Sequence, residues 1–325
     1  MCTYTNHKEI TIKLTYAVMK KQLLSMILIV ASGLAIAHAE STTSDALEKE
    51  RARGLVYRVS TNNHSVVLYG SLHAGMSEAD AFSEYSLRHA KGSTILNVEA
   101  DVRKSAILDS LLLRYAYRET DGSGYMALGK ATIRSIMSRL RPLGINEDQL
   151  IVMRPWYVAT ILPVARVPGD ETVSSKHSVD ARFLSSPLIQ SIPVREIESL
   201  ELQIQLLSEG TDKDEYNRLQ DWVGMIESGF ANDYQKCILY SWRARSLSDM
   251  SICLDRLKKI NNSYSIHYID KVIIGRNYIF ANAIQDALTD KKTRNTFIIG
   301  SEHFGGPEGI VAILEKRGLH VEQLD

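Results

Sequence analysis

The sequence predicts an α/β fold: a mainly parallel sheet formed by the N- and C-terminal segments, flanked by helices, with a large helical insertion between them. Three observations carry this. Thr94-Ile95-Leu96-Asn97-Val98 and Thr296-Phe297-Ile298-Ile299 are short, nearly continuous apolar runs, as expected of strands covered on both faces. The stretch from Leu200 to Leu288 has few Gly or Pro and mixes charge with apolar spacing, so it reads as helical. The phrase Gly-Ser-x-His follows an apolar strand near each end of the chain, which puts both ends in one sheet.

Taken in order, Lys20 and Lys21 precede an apolar run from Leu23 to Ala37 that closes in Ala37-His38-Ala39. This pattern predicts a secretory signal peptide over residues 1–39, with Met19 as the true start. The run is short of the roughly 20 residues that span a bilayer, so cleavage is expected rather than a retained anchor, and no later segment is apolar enough to span a membrane. A periplasmic or secreted location follows, with residues 40–325 as a single domain.

Leu55 to Ser60 and Ser65 to Tyr69 flank Thr61-Asn62-Asn63-His64 and predict a hairpin. Helical periodicity marks Ile133, Ile136, Met137 and Leu140, and again Ile310, Ile313 and Leu314, where Gly318 supplies a C-terminal cap. Leu319 to Leu324 alternates as a last strand, and Pro142, Pro155, Pro163 and Pro168 mark turns in between.

Hydrophobic residues make up 45% of the chain and charged ones 23%, which is globular rather than disordered composition. The 38 basic residues balance the 38 acidic ones, so no global field draws the protein to nucleic acid. With Cys2 removed with the leader, Cys237 and Cys253 remain in an oxidising compartment. They are either a disulfide or two buried thiols.

The chemistry centres on the repeated phrase. Gly70-Ser71-Leu72-His73-Ala74-Gly75 and Gly300-Ser301-Glu302-His303-Phe304-Gly305 each place a histidine just beyond a strand, at the carboxyl edge where α/β sheets bind ligands. A glycine there is expected to let the backbone turn sharply. Glu99 ends the Ile95 to Val98 run in the same way. Two imidazoles and a carboxylate are a set that binds a divalent metal and leaves a position open for water; without metal they act as a general base and its orienting carboxylate. The sequence leaves both open. Ser71 and Ser301 lack the nucleophile elbow of serine hydrolases, and neither a P-loop nor a dinucleotide fingerprint occurs. His64, His89, His177, His267 and His320 have no matching partner and read as surface or structural.

These blocks, Leu68-Tyr69-Gly70-Ser71-Leu72-His73 and Phe297 through Gly306, resemble the two signature Gly-x-x-His blocks of the TraB/PrgY/GumN family. Glu99 matches that family's acidic residue. Arg154-Pro155-Trp156, Ser178-Val179-Asp180, Glu198 with Gln203, and Arg276-Asn277 resemble its intervening landmarks. The resemblance runs along nearly all of the mature chain, and Glu302 and Ser178 depart from it, standing where small residues and Gly are common. It implies a fold shared with TIKI proteases and related to ChaN-like haem binders and erythromycin-esterase-like proteins. The expected activity is metal-dependent hydrolysis of a peptide or protein substrate. His73, Glu99 and His303 would bind a divalent ion (Mn, Co or Zn) or activate water, and Arg276 would steady developing negative charge; Asp180 and Arg276 would either position substrate or a metal-bound water or form structural ion pairs, and Asn277 enters only as the neighbour of Arg276. The alternatives are a haem- or metal-binding accessory protein without turnover, and an envelope adaptor.

Overall fold

The computed structural model describes residues 53–324 apart from 78, 102, 119–121 and 164–176. The leader and Pro168 lie outside the described residues. Six strands form one sheet: β1 (Leu55–Ser60), β2 (Ser65–Ser71), β3 (Ile95–Val98), β4 (Val194–Glu196), β5 (Asn295–Gly300) and β6 (His320–Gln323), in the order β4-β3-β5-β2-β1-β6. The β4-β3, β3-β5 and β5-β2 pairings are parallel. β1 runs antiparallel to both β2 and β6, so the chain's first and last described strands lie side by side.

The expected hairpin forms with Ser60 opposite Ser65. β3 and β5, the continuous apolar runs, are central and buried over almost their whole length. Strand β4 was not legible: it is three residues long, none of them buried, follows Pro193, and gains its identity only by pairing Val194 with Leu96. Glu198 just beyond it is fixed by donating its N–H to the Glu99 carbonyl (2.9 Å).

Helices of seven or more residues cover both faces, and we number them α1 (Ser105–Tyr115), α2 (Gly129–Leu140), α3 (Pro155–Ile161), α4 (Val179–Ser185), α5 (Leu200–Leu207), α6 (Asp212–Glu227), α7 (Phe230–Arg243), α8 (Leu247–Ile260), α9 (Gly275–Thr289) and α10 (Ile310–Lys316). Four of the ten begin on a side chain that accepts an otherwise unpaired N–H: Ser178 for α4, Ser199 for α5, Thr211 for α6 and Ser246 for α8. Pro155 opens α3, and Trp156 buries its ring and donates to the Tyr115 carbonyl (2.9 Å). Gly318 has φ +80° just beyond α10, as expected of a C-terminal cap.

The helical insertion from α5 to α9 has one irregularity. Residues Tyr268–Ile274 form a π-helix that runs directly into α9. Its wider turn aims Tyr268, Val272 and Ile273 into the same cavity as Arg276.

A disulfide joins Cys237 of α7 to Cys253 of α8, with Cα atoms 5.9 Å apart. Each of these helices also holds one of the two motif turns at the carboxyl edge. Trp242 of α7 donates to the Gly70 carbonyl (2.6 Å), and Ser251 of α8 accepts from the Gly306 N–H (2.8 Å). Beneath Gly70, Tyr69, Phe82, Phe183 and Trp242 pack edge to face, with centroids 4.8 to 5.6 Å apart.

Candidate functional site

Four parallel strand ends lie abreast at the carboxyl edge. They deliver Glu198 after β4, Glu99 after β3, His303 after β5 and His73 after β2. A cavity of about 330 Å³ opens there, lined by His73, Glu99, Arg276, Glu302 and His303 among others. His73, Glu99 and His303 thus come together as expected, and the insertion supplies Arg276. Asp180 stands behind His73 and Asn277 behind His303, each hydrogen-bonded to its histidine.

The Arg276 guanidinium is the hub. Its Nε donates to Glu198 (2.9 Å), its Nη2 bridges Glu198 (2.8 Å) and Glu99, and its Nη1 lies 3.3 Å from His303 Nε2. The side chain is buried and also lies over the Phe280 ring. With every nitrogen engaged, its charge is shared among two carboxylates and an imidazole. Burial alone would raise Glu99, but Arg276 and the two histidines outweigh it and hold the carboxyl down to about 2.

The other Glu99 oxygen accepts from the Gly300 N–H (2.5 Å). Here the structure corrects the reason for the glycine. Gly300 has φ −51°, open to any residue, but a Cβ would sit 3.1 Å from Glu99 Oε1. Close approach, not an unusual backbone angle, is what the position requires.

His303 is buried. Its Nδ1 contacts Asn277 Oδ1 (2.7 Å), and the Asn277 amide nitrogen donates to the Glu308 carbonyl (2.7 Å). A carbonyl only accepts, so the amide orientation is set, Nδ1 carries the proton, and Nε2 keeps its lone pair. Burial, reinforced by Arg276 against the opposing pull of Glu99, pushes the imidazole down to about 3, so it is neutral at pH 7.

His73 is the opposite case. Its side chain is 79% exposed and its Nδ1 donates to Asp180 Oδ2 (2.5 Å). The Asp180 carboxylate, acting against desolvation, pushes it up to about 9, so it is an imidazolium at pH 7. Asp180 is held by the start of α4, where the Val179 N–H donates to the Leu72 carbonyl (2.9 Å).

As arranged, the three expected ligands share a cavity without forming a metal shell. Both Glu99 oxygens are taken, His303 Nε2 faces a cation, and among the described residues no group of three His, Cys, Asp or Glu side chains is spaced to hold an ion.

Three contributors to the cavity and its network were not singled out as site residues. Glu198 showed itself only as a landmark of the resemblance. Tyr234 and Tyr268 gave no signal, because helical tyrosines at apolar spacing read as core; both donate to Glu302, Tyr268 at 3.0 Å.

The sequence model of the TraB/PrgY/gumN family matches residues 55–323, nearly the whole folded chain, and the protein belongs to that family. No curated protein and no solved structure matches the chain significantly.

Proposed function

We propose that this member of the TraB/PrgY/gumN family is an exported hydrolase, with a peptide as the substrate class, that activates water at the carboxyl edge of its sheet. The carrying observation is the split between the two motif histidines in one cavity, one pushed up to about 9 and the other down to about 3. Environments that drive two titratable groups apart assign donor and acceptor roles. At neutral pH the His73 imidazolium has a proton to give to a leaving amine, and the unprotonated His303 Nε2 can accept one from water once Arg276 Nη1, 3.3 Å away, turns aside. Glu99, Arg276 and Asn277 hold His303; Asp180 holds His73.

A second reading keeps the divalent ion, Mn, Co or Zn. It is favoured by the tautomer, since Asn277 leaves Nε2 free of a proton as a metal ligand must be. It requires Arg276 to yield its place beside Glu99 and His303. The disulfide supports export, because such bonds persist in oxidising compartments.

The test uses protein expressed from Met19 and purified from the periplasm without chelator, assayed against a peptide library beside a folded His73→Ala/His303→Ala variant, with metal content read by plasma mass spectrometry. Cleavage by the wild type alone is expected. Stoichiometric metal in the wild type only selects the second reading. A folded wild type that cleaves nothing overturns the hydrolase, leaving a haem binder, which a Soret band would reveal, or an adaptor.

A further inference from the structure

Glu302 is the residue of the second motif that departs from the family pattern, and neither the acid nor the acceptor role needs it. It lines the same cavity, with its carboxyl held at both oxygens: Tyr234 Oη donates to Oε1 and Tyr268 Oη to Oε2 (3.0 Å). Burial raises both phenols well above their ordinary range, so they stay protonated and can only serve this carboxyl as donors. Each carboxylate oxygen retains a lone pair for a ligand.

The surroundings favour a cation. Arg276 pairs with Glu99 and Glu198, and His73 with Asp180, while Glu302, whose carboxyl burial pushes up, has no basic side chain in ion-pair range among the described residues. Leu206, Ile238 and Val272 give the same cavity an apolar lining. That combination suits a methylene chain ending in a charge. Ser301, 1% exposed and lining the same cavity, has a hydroxyl with no partner, which leaves a further acceptor for an N–H donor.

We infer that the Glu302 end of the cavity binds the ammonium group of an alkylamine, which a peptide substrate presents as a lysine side chain. The inference rests on the reading of this cavity as the substrate site. The carboxylate between two phenols takes the charge, the apolar wall takes the methylenes, and the scissile bond is left toward His73 and His303.

Calorimetry on the full mature chain tests it with three probes of one length: n-pentylammonium, 1-pentanol and pentanoate. The wild type should bind the amine at least about tenfold more tightly than the alcohol and bind pentanoate least, an interval of one decade in Kd. A folded Glu302→Gln variant should lose that preference. An amine no tighter than the alcohol on the wild type overturns the proposal without recourse to any variant, as does a preference that survives in Glu302→Gln. If Glu302→Gln does not fold, Tyr268→Phe, which removes one donor and keeps the charge, should retain the preference; its loss there overturns the assignment to the carboxylate. Binding is read without turnover. A protein that prefers the amine and cleaves nothing therefore refutes only the hydrolase, and one that cleaves peptides without lysine preference or amine binding refutes only this inference.

Discussion

The two Gly-Ser-x-His turns share a sequence phrase, a preceding parallel strand and an edge of the sheet, yet they carry opposite chemistry. At the second turn His303 is enclosed by Arg276, Asn277 and Phe280, with the Phe280 ring at 90° and 4.9 Å, and it is neutral. At the first turn His73 stands open at the mouth against Asp180 and is charged. The comparison teaches that the motif fixes where a histidine stands, while long-range partners fix what it does. Those partners come from distant segments: Arg276, Asn277 and Phe280 of α9 stand 23 to 27 residues before His303, and Asp180 of α4 stands 107 after His73.

The strongest way to break the comparison is to remove the hub of the second turn. Arg276→Ala leaves Glu99 and Glu198 buried and unpaired and should cost about 3–5 kcal/mol in urea unfolding. A loss below about 1 kcal/mol would mean the ion-pair network does not hold that turn. Next, Cys253→Ser opens the link between the helix supporting Gly70 and the helix supporting Gly306, and should cost about 3 kcal/mol. Calorimetric melting with and without reductant checks it, and an unchanged transition would show the two turns to be independently anchored.

Acid should act on the second turn first. Folded His303 and Glu99 both titrate below their ordinary values, so the unfolded chain binds more protons and stability rises with pH. Stability should therefore fall as pH drops from 6.5 toward 3 through His303 and from 4.5 toward 2 through Glu99. His73 has the other sign: its contribution is present below 6.5 and lost as pH rises through about 9, and it is small because the ring is exposed. Urea midpoints that stay flat between pH 7 and pH 4 would contradict the buried neutral assignment. The smallest effect sharpens the first turn. In Asp180→Asn the His73 titration followed by NMR should move from about 9 toward its ordinary 6.5, with less than about 1 kcal/mol lost in stability. A His73 pKa that stays put would remove Asp180 as the cause.

Much of the architecture was legible because it rests on local patterning. The hairpin, the two buried central strands, the helix capped by Gly318 and the return of the last strand to the first all follow from apolar periodicity and turn residues. The motif histidines and Glu99 were legible because they sit at fixed offsets from those strands. Strand β4 was not, since three residues after a proline, none of them buried, are too few to carry a period of their own. Tyr234, Tyr268 and the π-helical turn were hidden for a related reason: a helix that buries an apolar face looks the same whether that face meets the core or a cavity.

By itself, then, the sequence determined the α/β class, the strand ends and which ionisable groups stand on them, because these depend on residues adjacent in the chain. Only the tertiary structure decided that Arg276 would hold Glu99 and Glu198, that Asn277 would fix the proton on His303, and that Asp180 would charge His73. Protonation depends on burial and on charges a few ångströms away, and in this chain those charges are brought from distant segments by packing.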